Sequence, residues 1–290
     1  MKIVIAQTED AVREYCGKQK ANRLVNDIGF RLSCLSNAFT DVHAMVGLED
    51  GRVKFALPLC RYNGQLEVLG QFWGEGFDLG MSENDWLECR RLMTGPVRIS
   101  YCDVQYPGMK PMEVDTAELL LPETSQVEAY EARFTDSDSR RTLRQSLRYT
   151  DDITIDLHNG FYGSAIDEMI KFSLERLSIE SRFAKPEHVE SFVRMCEWLS
   201  ENRSLVTLRY LMEDNCVGSA LLSMDAQTKT LTFLSGFFAE RLNNFGKYMY
   251  HSFVRVAEDK GCSRIVALMP LSRIKKDMQY TGRRLFEYVQ

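Results

Sequence analysis

Residues 229–262 hold the spacing most able to do chemistry. The apolar run Leu231–Phe238 is followed by a polar turn containing Arg241, Asn243, Asn244 and Gly246. A helical run from Lys247 to Lys260 comes next and stops at Gly261. A strand that feeds a glycine-containing turn at a helix start is a natural anion site. The first amides of the helix lack intrahelical partners, and the helix dipole points its positive end at the turn.

A second candidate is the segment from Ser139 to Arg148. Arg140, Arg144 and Arg148 recur every four residues, which places them on one helical face beside Leu143 and Leu147. Guanidinium forks hold a carboxylate or phosphate bidentately. The alternative is a solvated face balanced by Asp136, Asp138, Asp151 and Asp152. Metal chemistry has little to build on. The eight cysteines form no C-x-x-C pair, and none of the four histidines stands at zinc-ligand spacing from another. Buried reduced thiols are expected, and no metal; a cysteine nucleophile with a distant histidine stays open.

The elements that must position these residues can be read in outline. Lys2–Ala6 reads as a strand, with Thr8 or Asp10 capping a helix to about Val25. From 42 to 70 the pattern is all β, broken by Glu49-Asp50-Gly51 and Asn63-Gly64, which make hairpin turns because they tolerate positive φ. Ser82 opens a helix and Val97–Cys102 is a strand. Residues 103–126, with Pro107, Gly108, Pro111 and Pro122, read as a linker. Gln126–Phe134 alternates like a strand, and Arg140–Tyr149 is a helix. After Ile153–Leu157, helices are expected over Phe161–Glu180 and from Pro186 to Ser200. The strands Ser204–Met212, Val217–Met224 and Thr230–Phe238 then lead into the anion turn. Strand Arg264–Met269, a helix Leu271–Tyr280 and strand Arg284–Val289 close the chain.

At 290 residues the chain fits one large domain or two ordinary ones. No apolar run reaches the roughly 20 residues of a membrane span. The N-terminus turns polar too soon for a signal peptide, so a cytoplasmic protein is expected. Net charge is −5. From Arg241 onward ten basic residues stand against four acidic ones, a local +6 that leaves −11 on residues 1–240. That balance suits a small phosphorylated ligand better than nucleic acid. Oligomeric state has no signature.

Three strands, the turn Arg241-x-x-Asn244-x-Gly246, a helix and a strand, in that order, resemble the GNAT acetyltransferase superfamily. Its acyl-CoA motif is [Gln/Arg]-x-x-Gly-x-[Gly/Ala] at this place. Arg241 and Gly246 match, while Asn244 stands where the family has glycine. Asparagine tolerates positive φ, but its side chain takes more room beside a phosphate. Phe253–Ile265, with Ala257, Gly261 and Arg264, is also similar. The "Ser-x-Arg-Arg-x-Leu-Arg" helix and the hairpin Gly51–Leu59 resemble the CelD-type and FemAB/FemX-type branch, bacterial tandem-GNAT acyl- and aminoacyltransferases of polysaccharide and peptidoglycan assembly.

The resemblance implies an α/β (α+β) chain of two GNAT-like domains, each a mixed, mostly antiparallel sheet flanked by helices. Residues 1–125 would be the degenerate half and 126–290 the donor-binding half. It implies an N-acyltransferase that moves an acyl group from acyl-CoA, as cosubstrate, to an amine acceptor, in cell-envelope or polysaccharide metabolism. Phe237, Phe238, Arg241, Asn244, Phe245, Gly246 and Lys247 would hold the donor, and Arg140, Arg144 and Arg148 the substrate. A strand-end N–H within Leu234–Phe238 would polarise the thioester carbonyl. Glu240 is the candidate base and Tyr280 the candidate acid. Arg273, Lys275 and Lys276 either contact donor phosphates or are solvated, and His251 has the pattern of a filler residue. The chain lacks the helical hairpin of the aminoacyl-tRNA-using members and is acidic, so nucleic acid is not expected. An aminoacyl-tRNA or carrier-protein donor, and a non-catalytic binding module, remain the alternatives.

Overall fold

Two dipeptide turns organise the first sheet. Asp50 and Gly51 take φ of 50° and 76°, and Asn63 and Gly64 take 50° and 78°, the left-handed values that a tight hairpin requires. The computed structural model describes residues 2–18, 23–71, 73, 76–113, 115–239, 242–268 and 271–290. In chain order the elements begin with β1 (Lys2–Ala6), α1 (Glu9–Gly17), α2 (Ile28–Ser33), β2 (Phe39–Glu49), β3 (Arg52–Tyr62) and β4 (Gln65–Val68). Next come α3 (Glu83–Leu92), β5 (Arg98–Cys102), β6 (Lys110–Pro111), β7 (Thr116–Leu120), α4 (Gln126–Glu131), α5 (Ser137–Ser146) and β8 (Thr154–Asn159). Then follow α6 (Gly163–Leu177), α7 (Pro186–Glu201), β9 (Leu205–Met212), β10 (Asn215–Asp225), β11 (Thr230–Phe238) and α8 (Phe245–Asp259). The chain closes with β12 (Arg264–Ala267), α9 (Arg273–Asp277), β13 (Thr281–Arg283) and β14 (Phe286–Val289).

The chain divides into two compact units. The first comprises residues 1–114, 190–198 and 284–290; the second comprises 115–189 and 199–283. Unit 1 contains the antiparallel sheet β1-β2-β3-β4 and the small sheet β5-β14-β6. Its core gathers Phe55, Leu57, Leu59, Trp86 and Ile99 on one side, and Val12, Leu32, Val46 and Leu69 on the other. Ser82 caps α3 with a reciprocal capping box to Asp85. The last strand, β14, counts with unit 1 because it pairs antiparallel with both β5 and β6. The break at 114/115 and this return differ from the halves 1–125 and 126–290 expected from sequence.

Unit 2 contains a seven-stranded sheet ordered β13-β7-β12-β11-β10-β9-β8. The sheet of unit 2 is mixed, with β11 and β12 parallel, while the strands of unit 1 pair antiparallel; both units are mostly antiparallel and flanked by helices, as the resemblance implied. The meander β9-β10-β11 lies where expected. Two expectations fail here. Residues 103–126 are not a linker: Thr116–Leu120 is β7, between β12 and β13, with Ala117 and Leu119 fully buried. Gln126–Phe134 is not a strand but begins as helix α4. Gln126 and Tyr130, one helical turn apart, are the residues it buries, and the Gln126 amide donates to the Cys262 carbonyl at 2.9 Å. All eight cysteines are free, and seven are buried.

Candidate active site

Strand β11 runs beside two partners of opposite kind. Along β10 it pairs antiparallel from Thr230 to Phe238, with a bulge at Leu234, since Leu221 faces Ser235 while Leu222 faces Phe233. Along β12 it pairs parallel, but only from Thr230↔Arg264 to Phe233↔Ala267. Among the described residues, therefore, β11 continues beyond Phe233 to Phe238 with no ladder on that side. A bulge bends and twists its strand, which accounts for the parting at this residue. The edge from Leu234 to Phe238 carries alternate backbone N–H groups that meet no partner among the described residues and can meet an extended ligand.

The parting is held open from the other strand by Lys275 of α9. Its ammonium group, 5% exposed, donates to the carbonyls of Ala267, at 3.0 Å, and Leu268. Leu268 lies one residue past the end of β12, and a single ammonium group gathers both carbonyls, so the backbone has left regular strand geometry there. The lysine satisfies the two carbonyls at the end of β12.

The turn after β11 is fastened before it enters α8. The Ala239 amide donates to Val217, Leu242 to Ala239, and the Tyr149 hydroxyl to the Asn243 carbonyl at 2.8 Å. Asn244 is left-handed, with φ 62° and ψ 13°, and its side chain makes no cap. The asparagine thus adopts the conformation a glycine would favour there. In the first turn, Phe245 donates to Leu242, and Lys247 and Tyr248 to Asn244. The Gly246 amide is left without a partner among the described residues, and Gly246 is buried. A Cβ on Gly246 would come 2.6 Å from the Ile274 Cδ1 atom, so α9 packs directly against this position.

The residues singled out in the sequence distribute as follows. Phe237 and Phe238 end β11, half-buried. The Phe245 ring is fully buried against Tyr149, Tyr210, Phe238 and Tyr248, so its share in any donor site is confined to its backbone. Lys247 is already engaged: its ammonium group donates to Gln145 at 3.0 Å and stands 3.4 Å from Asp277. Glu240 and Arg241 lie outside the described residues. Arg140, Arg144 and Arg148 are exposed. Helix α5 ends at Ser146, so Arg148 leaves the helical face shared by Arg140 and Arg144 and lies over the Tyr149 ring. The buried side of α5 is Thr142 and Ser146.

Tyr280 is buried with Tyr130, Tyr210 and Tyr250 around it, its ring 5.5 Å from that of Tyr250. Its hydroxyl is buried without a hydrogen-bond partner among the described residues. Burial holds its pKa well above the ordinary tyrosine value, so the group stays protonated. His251 is 1% exposed and bonds Glu131 at 2.9 Å; burial outweighs that carboxylate and lowers its pKa.

One group had no signal in the sequence. Arg209, Ser219 and Phe237 form a row across β9, β10 and β11. Arg209 reaches Glu168 of α6 at 3.4 Å and Asp156 at 3.7 Å. Among the described residues the other Glu168 oxygen, Oε2, is buried with no hydrogen-bond partner beyond the neighbouring Cys216 thiol. Cys216 lies nearby, but its thiol bonds the Gly218 carbonyl at 3.4 Å, and burial with the Glu168 charge pushes its pKa to about 11. It is therefore a poor nucleophile at neutral pH. Among the described residues no group of three or more His, Cys, Asp or Glu side chains is placed to hold a metal ion, and no helix is long and apolar enough to cross a membrane.

Neither a family model nor a curated protein matches the sequence. Solved structures do match its fold over nearly the whole length. The structure of FemX aligns with 100% of this chain and 98% of its own at 10% identity and a TM-score of 0.61. L-PGS from Bacillus licheniformis aligns over 98% and 92% at 11% identity and 0.58. A tandem GNAT protein from the clavulanic acid biosynthesis pathway aligns over 100% and 98% at 8% identity and 0.54. The chain has the tandem GNAT-like fold of the FemX type.

Proposed function

We propose that unit 2 transfers an acyl group from an activated donor to an amine. The observation that carries this reading is the parting of β11 from β12 after Phe233, held by the Leu234 bulge and by Lys275. It leaves an edge of free backbone groups for an extended acyl donor, next to a helix N-terminus with one unpartnered amide at Gly246. In the transfer, the amine nitrogen bonds to the acyl carbonyl carbon and loses a proton, while the bond to the leaving group breaks and that group takes up a proton. A free N–H on the β11 edge would stabilise the developing oxyanion. The protonated Tyr280 hydroxyl would supply the leaving group's proton, and the Glu168 carboxylate would accept a hydrogen bond from the incoming amine.

The donor in this reading is an acyl-CoA or a similar thioester, and the setting is cell-envelope or polysaccharide metabolism. The tandem GNAT fold shared with FemX and with the clavulanic acid pathway protein supports it. One observation favours a second donor class. Lys247 is neutralised by Asp277 and so offers no free charge to a phosphate, which suits an aminoacyl ester or a carrier-bound chain that needs no pyrophosphate grip there. Incubating the protein with acyl-CoAs, an acyl-carrier protein or aminoacyl-tRNA, each with a mixed amine panel, tests the proposal. New amides detected by mass spectrometry support it. No product with any donor from folded protein would make unit 2 a non-catalytic module.

A further inference from the structure

The arginines of α5 take no part in the transfer chemistry, and they point away from it. The helix buries Thr142 and Ser146. At about 100° per residue, Arg140 and Arg144 fall on the opposite side, one turn apart, and both are exposed. Arg148, past the end of the helix, is exposed over the Tyr149 ring. Helix α9 adds Arg273 and Lys276, also exposed. None of these cations has a side-chain hydrogen bond or an ion pair among the described residues.

The charges around them are engaged elsewhere. Arg141 pairs with Asp138 at 3.5 Å, and Asp136 caps α5 by accepting from the amides of Asp138 and Ser139. Asp151 and Asp152 follow in the exposed turn after α5 and pair with none of the cations, which leaves the positive charges in excess. Both helices adjoin the donor turn. Lys247, in the first turn of α8, donates to Gln145 of α5 at 3.0 Å and stands 3.4 Å from Asp277 of α9.

A small ligand takes a concave site, and the outer side of a helix is convex. A nucleic acid would meet a chain of net charge −5, with Asp136, Asp138, Asp151 and Asp152 beside the arginines. One exposed ion pair is worth little, but several on neighbouring helices steer and orient a protein of opposite charge. We propose that the outer faces of α5 and α9 dock a small acidic carrier protein, which presents its acyl chain as a thioester to the β11 edge. This partner presupposes the acyl transfer proposed for unit 2. The arginines hold the carrier's surface, and the edge holds only the chain.

The test is calorimetric titration of the full chain with an acyl carrier protein, in its apo and octanoyl forms, at about 25 mM and about 300 mM salt. Octanoyl-CoA and unfractionated tRNA are titrated beside it. Both carrier forms should bind saturably at low salt and at least about tenfold more weakly at high salt. Arg140→Glu with Arg144→Glu should weaken the carrier by about tenfold or more with an unchanged circular dichroism spectrum, while Arg140→Lys with Arg144→Lys keeps most of the affinity. Arg273→Glu with Lys276→Glu is the second variant, with the same expected loss, if the first does not fold. Binding of the apo carrier needs no acyl transfer, so carrier binding without any amide product would overturn the transfer reaction and leave the docking surface. No carrier binding at low salt, tighter binding of tRNA than of carrier, full carrier binding by the folded reversed variants, or an equal loss of octanoyl-CoA affinity in them would each overturn the docking proposal, while amide formation from acyl-CoA would still stand.

Discussion

Lys275 and Ala267 meet where two parallel strands part: the Lys275 ammonium donates to the Ala267 carbonyl at 3.0 Å, and Ala267 is the last residue of β12 that pairs with β11. A side chain from outside the sheet thus binds the carbonyl of the last described residue of that ladder. Replacing it removes a charged donor from buried carbonyls. Lys275→Met is expected to lower unfolding stability by about 2–3 kcal/mol. Urea denaturation checks this: the midpoint should fall with the slope unchanged.

Tyr280 separates stability from activity. Its hydroxyl is buried and unpartnered among the described residues, so deleting the oxygen removes a group that gains nothing in the fold. Tyr280→Phe should leave stability within about 1 kcal/mol of the natural protein, or raise it, and should slow transfer by about 100-fold or more if the phenol protonates the leaving group. Thermal unfolding and initial rates on the same preparation distinguish the two effects.

Gly246 and Ile274 are expected to be coupled. A Cβ at 246 meets the Ile274 Cδ1 atom at 2.6 Å, and that atom is the end of a side chain that can shift. Gly246→Ala alone should destabilise by about 1 kcal/mol, and combining it with Ile274→Val should recover much of the loss. A double-mutant cycle in urea measures the coupling; strict additivity would mean that the two positions do not press on one another.

His251 gives a pH dependence of definite sign. Burial lowers its pKa in the fold below the ordinary value of 6.5, so below that pH the unfolded chain takes up the proton first. Stability should therefore fall as pH drops from about 7 toward the lowered pKa. His251→Gln, which keeps an amide donor for Glu131, should flatten the pH profile over that range in denaturation at successive pH values.

Much of the fold is legible in the sequence because its signals are local. Asn63-Gly64 and Asp50-Gly51 name their turns through positive φ, and the β9-β10-β11 meander follows from apolar runs between polar turns. Gln126–Phe134 misleads because a short alternating segment fits either period, and its burial is decided by the distant Cys262 carbonyl. The proline-rich approach to Thr116 hides a strand whose partners, β12 and β13, come more than a hundred residues later. The site divides the same way. The turn at Asn244 is readable, since one residue's φ preference carries it. Glu168, Arg209 and Asp156 come from three elements with no spacing rule, and the engagement of Lys247 by Asp277 is visible only once α9 is in place.

The central claim is that the parted strands and the turn at Asn244 hold an acyl donor. Calorimetric titration of the natural protein and of Asn244→Gly with acetyl-CoA and longer acyl-CoAs tests it most directly. Saturable binding of at least one acyl-CoA by the natural protein, retained or strengthened in Asn244→Gly, is the predicted result. No binding by the folded natural protein, with affinity appearing only in Asn244→Gly, would contradict the account and mark the turn as a donor site that asparagine has closed.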